Sequence, residues 1–246
     1  MRALQVSGVS KVFPDGTVAL KNVSFAIDAG QLAVVAGSNG SGKSVLMTLI
    51  AALDGPTEGK IDLFGNSCGL VFQDADAQIL GETSEVDVAF GAKNVGLKKE
   101  ALRQRVSSSL DAVGLLDKAK AAARTLSGGE KRRLAVAGIL AMQKSQASRP
   151  AGSLVIFDEP FANLDWPGVR QVCSIMKQLK SEGKTQIVLT HEIEKVLALA
   201  DRFIVLDKGQ IRFDGTPKEG LEQDLEAWAI RNPLTRYNSL EDLVWL

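Results

Sequence analysis

Residues 37–44 read GSNGSGKS, set between the apolar run QLAVVA and the helix-forming run SVLMTLIAAL. No other stretch restricts the fold as much. An apolar run without alternation suits a strand buried on both faces. A strand that feeds a Gly-rich loop into a helix N-terminus is the arrangement that cradles phosphate. Glycines let backbone N–H groups approach the ligand, and the positive end of the helix favours an anion. The pattern G-x-x-x-x-G-K-[ST] is complete here. Its backbone N–H groups, over Ser38, Asn39, Gly40, Ser41 and Gly42, wrap a β-phosphate. Lys43 is expected to reach β- and γ-oxygens, and the Ser44 hydroxyl to bind Mg2+.

The rest of the chain reads as an α/β domain. LQVSGVSKVF and VSFAI precede the loop as strands, and IDLFGNSCGLVFQ reads as two short strands around a Gly/Asn/Ser turn. In ALRQRVSSSLDAVGLL, Leu102, Val106, Leu110 and Val113 share one helix face, and Gly114 is an end signal. EKRRLAVAGILAM is apolar nearly all round, as in a buried helix. LVIFD, IVLT and FIVLD are further apolar strands alternating with helices, which predicts a mostly parallel sheet. Pro167 stands near the start of one of these helices and Gly183 follows its end. From about Lys218 the tail carries Leu221, Leu225 and Trp228 at helical spacing and ends in LEDLVWL. Packing on its own domain and a subunit interface explain that tail equally well.

Composition narrows the function. Lys+Arg and Asp+Glu balance at 29 each, so no basic surplus speaks for nucleic acid, and aromatics are too scarce for a base-stacking platform. One histidine excludes a histidine-rich metal site, and the isolated Cys68 and Cys173 suit reduced thiols better than a disulfide. No secretory or transit pattern opens the chain, and no apolar run approaches the ~20 residues of a membrane span. The expected location is cytosolic, with docking on a membrane protein left open.

Strand ends supply the remaining chemistry. LVIFDE ends in Asp158, placed to hold Mg2+ through water, and in Glu159, placed to polarise an attacking water. His191 follows IVLT at the carboxyl end of a strand, where open α/β sheets bind ligands; there it bonds a γ-phosphate or holds the water. Gln73, after GLVF, has the same placement and can ligate Mg2+ or touch the water. A second anion device, LSGGE at 126–130, opens the buried helix.

Together these motifs, in this order and over nearly the whole chain, resemble the ATP-binding cassette (ABC) ATPases. The resemblance implies a P-loop NTPase fold: a mostly parallel sheet, a small antiparallel β-subdomain and a helical subdomain at about 74–145. These make up an ATPase domain over 1–218, followed by a helical tail over 219–246. It implies ATP and Mg2+ as cofactors, with Phe13 stacking on adenine and Val18 and Val45 among the nucleotide-contacting positions. Ser127, Gly128 and Gly129 would bind the γ-phosphate of ATP held by the other subunit of a head-to-tail dimer, homomeric or heteromeric, and NLD at 163–165 is the D-loop. FQDADAQIL, EVDVAFGAKNVGL, LAVAGILAM and DEPFANLD are similar to the energy-coupling factor branch, which imports cobalt, nickel or vitamins. That implies a transmembrane coupling protein and a substrate-binding membrane protein as partners, and a peripheral position on the inner face of the cell membrane.

The chain departs from the family pattern in places. Val45 stands for the usual Thr and lacks a hydroxyl for the α-phosphate, a loss on the order of 1 kcal/mol. Glu130 stands where Gln is commoner, and Ala75 and Ala77 replace a Pro and an acidic residue near Gln73. The short stretch between Phe64 and Gln73 predicts a trimmed β-subdomain. Three other readings compete: an ATPase of another importer class, a soluble ABC-type ATPase acting on nucleic acid, and a P-loop regulator or small-molecule kinase. Only 53 positions separate Gln73 from Leu126, too few for the long inserts of the second, and no acceptor site or lid supports the third.

Overall fold

Two patterns of apolar residues decide the layering: runs without alternation build a buried sheet, and alternating runs build one covered on a single face. The computed structural model describes residues 1–142 and 153–235. In chain order, β1 (Arg2–Val12), β2 (Val18–Asp28) and β3 (Leu32–Ala36) lead into α1 (Lys43–Ile50). β4 (Glu58–Asp62) and β5 (Ser67–Val71) precede α2 (Ser84–Asn94), α3 (Lys99–Ala112) and α4 (Gly128–Met142). Then follow β6 (Ser153–Asp158), α5 (Trp166–Ser181), β7 (Thr185–Thr190), β8 (Arg202–Asp207), β9 (Gln210–Gly215) and α6 (Pro217–Leu221).

The main sheet has the order β5-β6-β7-β3-β8-β9 and is parallel except for β9. Every residue of β3 is buried. Its side chains alternate between two cores. Leu32, Val34 and Ala36 face one that includes α4 and α5; Ala33 and Val35 face one shared with α1 and the antiparallel sheet. That second sheet has the order β2-β1-β4. The helices α2, α3 and α4 pack on one another. The α3 stripe holds, with Val106, Leu110 and Val113 buried and Leu102 packed against them. At α5, the Asp165 carboxylate accepts from the Gly168 N–H at 2.9 Å, with Pro167 in the first turn, a capped start of the expected kind.

Three expectations change, and one strand is added. The strands flanking the Gly/Asn/Ser turn are β4 and β5, and they do not pair: β4 joins β1, while β5 joins β6. Short apolar runs carry no label of which edge they will satisfy. Between β7 and β8 stand only two short 3-10 turns, 193–195 and 197–199, rather than an α-helix. QIRFDG is too short and charged to read as a strand, yet it forms β9 and pairs antiparallel with β8. The tail is not one helix. It forms α6 and a 3-10 turn at 226–228, and it buries Leu225 and Ile230 in the main core, which decides for packing on its own domain as far as residue 235. LEDLVWL lies outside the described residues. Cys68 and Cys173 are free thiols, and burial pushes the Cys68 pKa up to about 12.

Candidate functional site

Parallel registry gathers the strand ends. β7 lies between β6 and β3. Asp158 pairs with Leu189, and Ala36 with Thr190. The residues that leave these strands, Glu159, Gly37 and His191, therefore emerge along one edge, the carboxyl edge where such sheets bind ligands.

Lys43 folds back over its own loop. Its Nζ donates to the carbonyls of Gly37 at 2.7 Å and Ser38 at 3.1 Å and lies 3.6 Å from Glu159 Oε1. Only 6% of Lys43 is exposed. Burial pulls its pKa down, and the charges of Glu159 and Asp158 oppose that pull. Glu159 Oε2 meets His191 Nδ1 at 3.0 Å. The Glu159 backbone holds φ 43°, rare for a residue with a side chain, while its N–H donates to Leu189 O at 2.9 Å. Asp158 is buried beside it, with Oδ1 unpartnered. Burial first, and then repulsion from Glu159, raise the Asp158 pKa against the pull of Lys43. Ser44, Asn39 and Gly40 are exposed, and Val45 is half-buried against the core shared with α1, a contact that suits an apolar side chain.

Gly42 must be glycine. It has φ 104°, and a Cβ there would stand 2.8 Å from Ala19 O. Gly209, in the turn between β8 and β9, presses on the same carbonyl: its φ is 72°, and its Cβ would lie 2.5 Å away. Gly209 N donates to Ser41 O, and Lys21 N donates to Gly209 O, both at 2.9 Å. This turn fastens β2 to the phosphate loop. The LDKG sequence carried a turn signal, but nothing local tied it to the loop. Phe13 and Val18 stand at the near ends of β1 and β2, where Val12 pairs with Val18. Lys11 Nζ sits 5.6 Å from the centre of the Phe13 ring.

LSGGE at 126–130, the family's signature motif, opens α4 as a capping box. Ser127 N donates to Glu130 Oε2 at 2.9 Å, and Glu130 N donates to Ser127 Oγ at 3.3 Å. Lys118 also pairs with Glu130, and that bond together with the one from Ser127 N holds the Glu130 carboxyl below its ordinary pKa. Glu in place of Gln thus serves as a cap. Ser127, Gly128 and Gly129 line a depression of about 450 Å³ with Asn163, Leu164 and Asp165 of the D-loop. None of residues 37–44 lines it. The two anion devices are separate surfaces of this chain.

Gln73 is exposed, and its backbone carbonyl is held by Arg132 Nη2 at 2.7 Å. The sequence does not mark Arg132, because a basic residue near the start of a helix reads as a solvated one. It is 5% exposed.

A phosphate loop, strand-end carboxylates and a strand-end histidine on one parallel sheet edge define a P-loop ATPase. The chain matches the ABC transporter family over residues 20–162. It is 37% identical to the energy-coupling factor transporter ATP-binding protein EcfA of Methanocaldococcus jannaschii, over 84% of this chain and 76% of that protein. To EcfA1 of Clostridium novyi it is 40% identical, over 85% and 76%. Among solved structures, cbiO1 of Clostridium perfringens, part of the ABC transporter complex cbiONQ, superposes with a TM-score of 0.81 at 30% identity, over 94% of this chain and 96% of that one. A dimeric ATP-binding cassette bound to ADP and Pi gives a TM-score of 0.75 at 26% identity, over 87% and 98%. The chain belongs to the ABC transporter ATPase family. It is an ATP-binding, ATP-hydrolysing cassette.

Proposed function

We propose that this chain is the motor subunit of an importer of the energy-coupling factor type. The convergence of Lys43, Glu159 and His191, with Asp158 buried beside them at an intact phosphate loop, carries the motor reading, and the identity to the EcfA proteins supports the importer type. Adenine stacks on Phe13 beside Val18. The N–H groups of residues 38–45 wrap the phosphates, and Lys43 exchanges the carbonyls of Gly37 and Ser38 for phosphate oxygens. Mg2+ fits the oxygen donors present: the Ser44 hydroxyl, the Gln73 amide and, through water, the unpartnered buried oxygen of Asp158. Bound there, it neutralises charge on the phosphates. Among the described residues no cluster of three or more His, Cys, Asp or Glu forms a metal site, and a site completed by phosphate oxygens needs none.

Glu159 takes the proton of the attacking water. His191 orients that carboxylate at 3.0 Å and contacts the γ-phosphate. Ser127, Gly128 and Gly129 supply donors to the γ-phosphate held by a second subunit, identical or related, so each ATP belongs to the interface. The helices α2 to α4 belong to the helical subdomain expected at about 74–145, described as far as Met142, and it faces the membrane partners, a transmembrane coupling protein and a substrate-binding protein. Cobalt, nickel or a vitamin is the expected class of cargo, chosen by the membrane partner. No described helix is long and apolar enough to cross a membrane. The position that goes with these membrane partners is peripheral, on the inner face.

The test is hydrolysis of Mg·ATP by the complex purified with its membrane partners. Glu159→Gln removes the base and should slow turnover by about 10²–10⁴-fold while ATP still binds. Turnover at the wild-type rate sinks the proposal.

A further inference from the structure

We infer that Arg132 is a positioning residue that fastens the two loops flanking the reaction centre to the signature helix. This rests on the ATPase reading above. Arg132 is the fifth residue of α4, just past its first turn, five residues after Ser127 and four after Gly128. Its Nη1 donates to Pro160 O at 2.6 Å and Ala162 O at 3.1 Å, and its Nη2 donates to Gln73 O at 2.7 Å. Pro160 directly follows Glu159. Ala162 directly precedes Asn163, the first D-loop residue, whose φ is 58°. Gln73 follows β5, which neighbours β6 in the sheet. One guanidinium therefore spans two adjacent strand-end loops. Lys131, the residue before it, adds an ion pair to Asp76 at 2.6 Å.

The chemistry of the clamp is specific. All three acceptors are main-chain carbonyls, so only the position of the loops is read. A planar fork with two terminal nitrogens reaches both loops; a lysine ammonium is a point charge at the end of a flexible stem. Burial lowers the Arg132 pKa, Asp74 opposes that shift, and Nε has no partner. An apolar side chain would fill this space at lower desolvation cost. What Arg132 adds is geometry. A shift of the α4 N-terminus, which carries Ser127 to Gly129, moves the backbone beside Glu159 and the backbone of Gln73 together. Contact at the signature thereby reaches the attacking-water position from behind.

The experiment compares Arg132→Met, Arg132→Lys and Lys131→Met in the complex purified with its membrane partners. It reads ATP turnover, ATP binding and backbone hydrogen exchange over 72–78 and 160–165. For Arg132→Met the expected result is a fall in kcat of about tenfold or more, as small misplacements of catalytic groups produce, with ATP affinity within about twofold. Exchange should rise in both segments. Arg132→Lys should retain the fold without restoring kcat. Lys131→Met should loosen 72–78 alone. Turnover within about twofold of wild type in both Arg132 variants overturns the inference, as does exchange that rises across the whole domain. If wild-type protein hydrolyses no ATP, the ATPase reading fails, and the exchange pattern judges the clamp by itself.

Discussion

Gly40 and Gly42 separate two costs that usually travel together. Both hold positive φ, 80° and 104°. A Cβ at Gly40 meets nothing within 4 Å, so Gly40→Ala carries backbone strain alone, about 1–2 kcal/mol. A Cβ at Gly42 would stand 2.8 Å from Ala19 O and 2.9 Å from Leu20 Cδ2. Ala19 belongs to β2, and Leu20 is fully buried, so neither yields cheaply. Overpacking of this kind adds about 1–3 kcal/mol, for a total of about 2–5 kcal/mol in Gly42→Ala. The relief is a shift of the loop, and Gly42 adjoins Lys43, so ATP affinity should fall more in Gly42→Ala than in Gly40→Ala. Urea unfolding with linear extrapolation measures the first effect, and equilibrium ATP binding the second. Gly138→Ala, in mid-α4 with open space around it, is the control and should stabilise by about 0.4–1 kcal/mol. Equal costs at positions 40 and 42 would refute the packing argument.

Ser127→Arg should leave ATP binding by the separate subunit largely intact and abolish hydrolysis, measured by nucleotide titration and phosphate release; lost binding would mean that the signature serves its own subunit's nucleotide. Glu130→Gln keeps a capping acceptor but loses the charge that meets Lys118. Because the Glu130 pKa is lowered in the fold, its charge stabilises above the unfolded pKa, about 4.3, and that contribution fades as pH falls through the lower folded value. The variant should therefore cost up to about 1 kcal/mol at neutral pH and progressively less in acid, read from urea midpoints across pH. Leu225→Ala should cost about 2–5 kcal/mol, since that tail side chain is 1% exposed in the main core; an unchanged midpoint would detach the tail from the domain.

The phosphate loop, the buried strands β3, β6, β7 and β8 and the stripe of α3 were legible in the sequence because each is a local pattern. Residue order alone dictates glycines before Lys43, unbroken apolar runs, and spacing of three to four. The candidate residues Lys43, Asp158, Glu159 and His191 were legible for the same reason, as each ends a readable strand or loop. That Glu159 meets Lys43 at 3.6 Å and His191 at 3.0 Å was decided by the strand order β6-β7-β3, which no local pattern encodes. The same holds for β4 and β5, which share a turn but serve different sheets, and for Gly209, whose tie to Ser41 spans the chain. Arg132 shows the limit most plainly. Its neighbours in sequence mark it as a surface cation, and its burial depends on carbonyls that lie 59 and 28 residues away. Main-chain acceptors leave no trace in side-chain identity, so only the tertiary structure could show what that arginine holds.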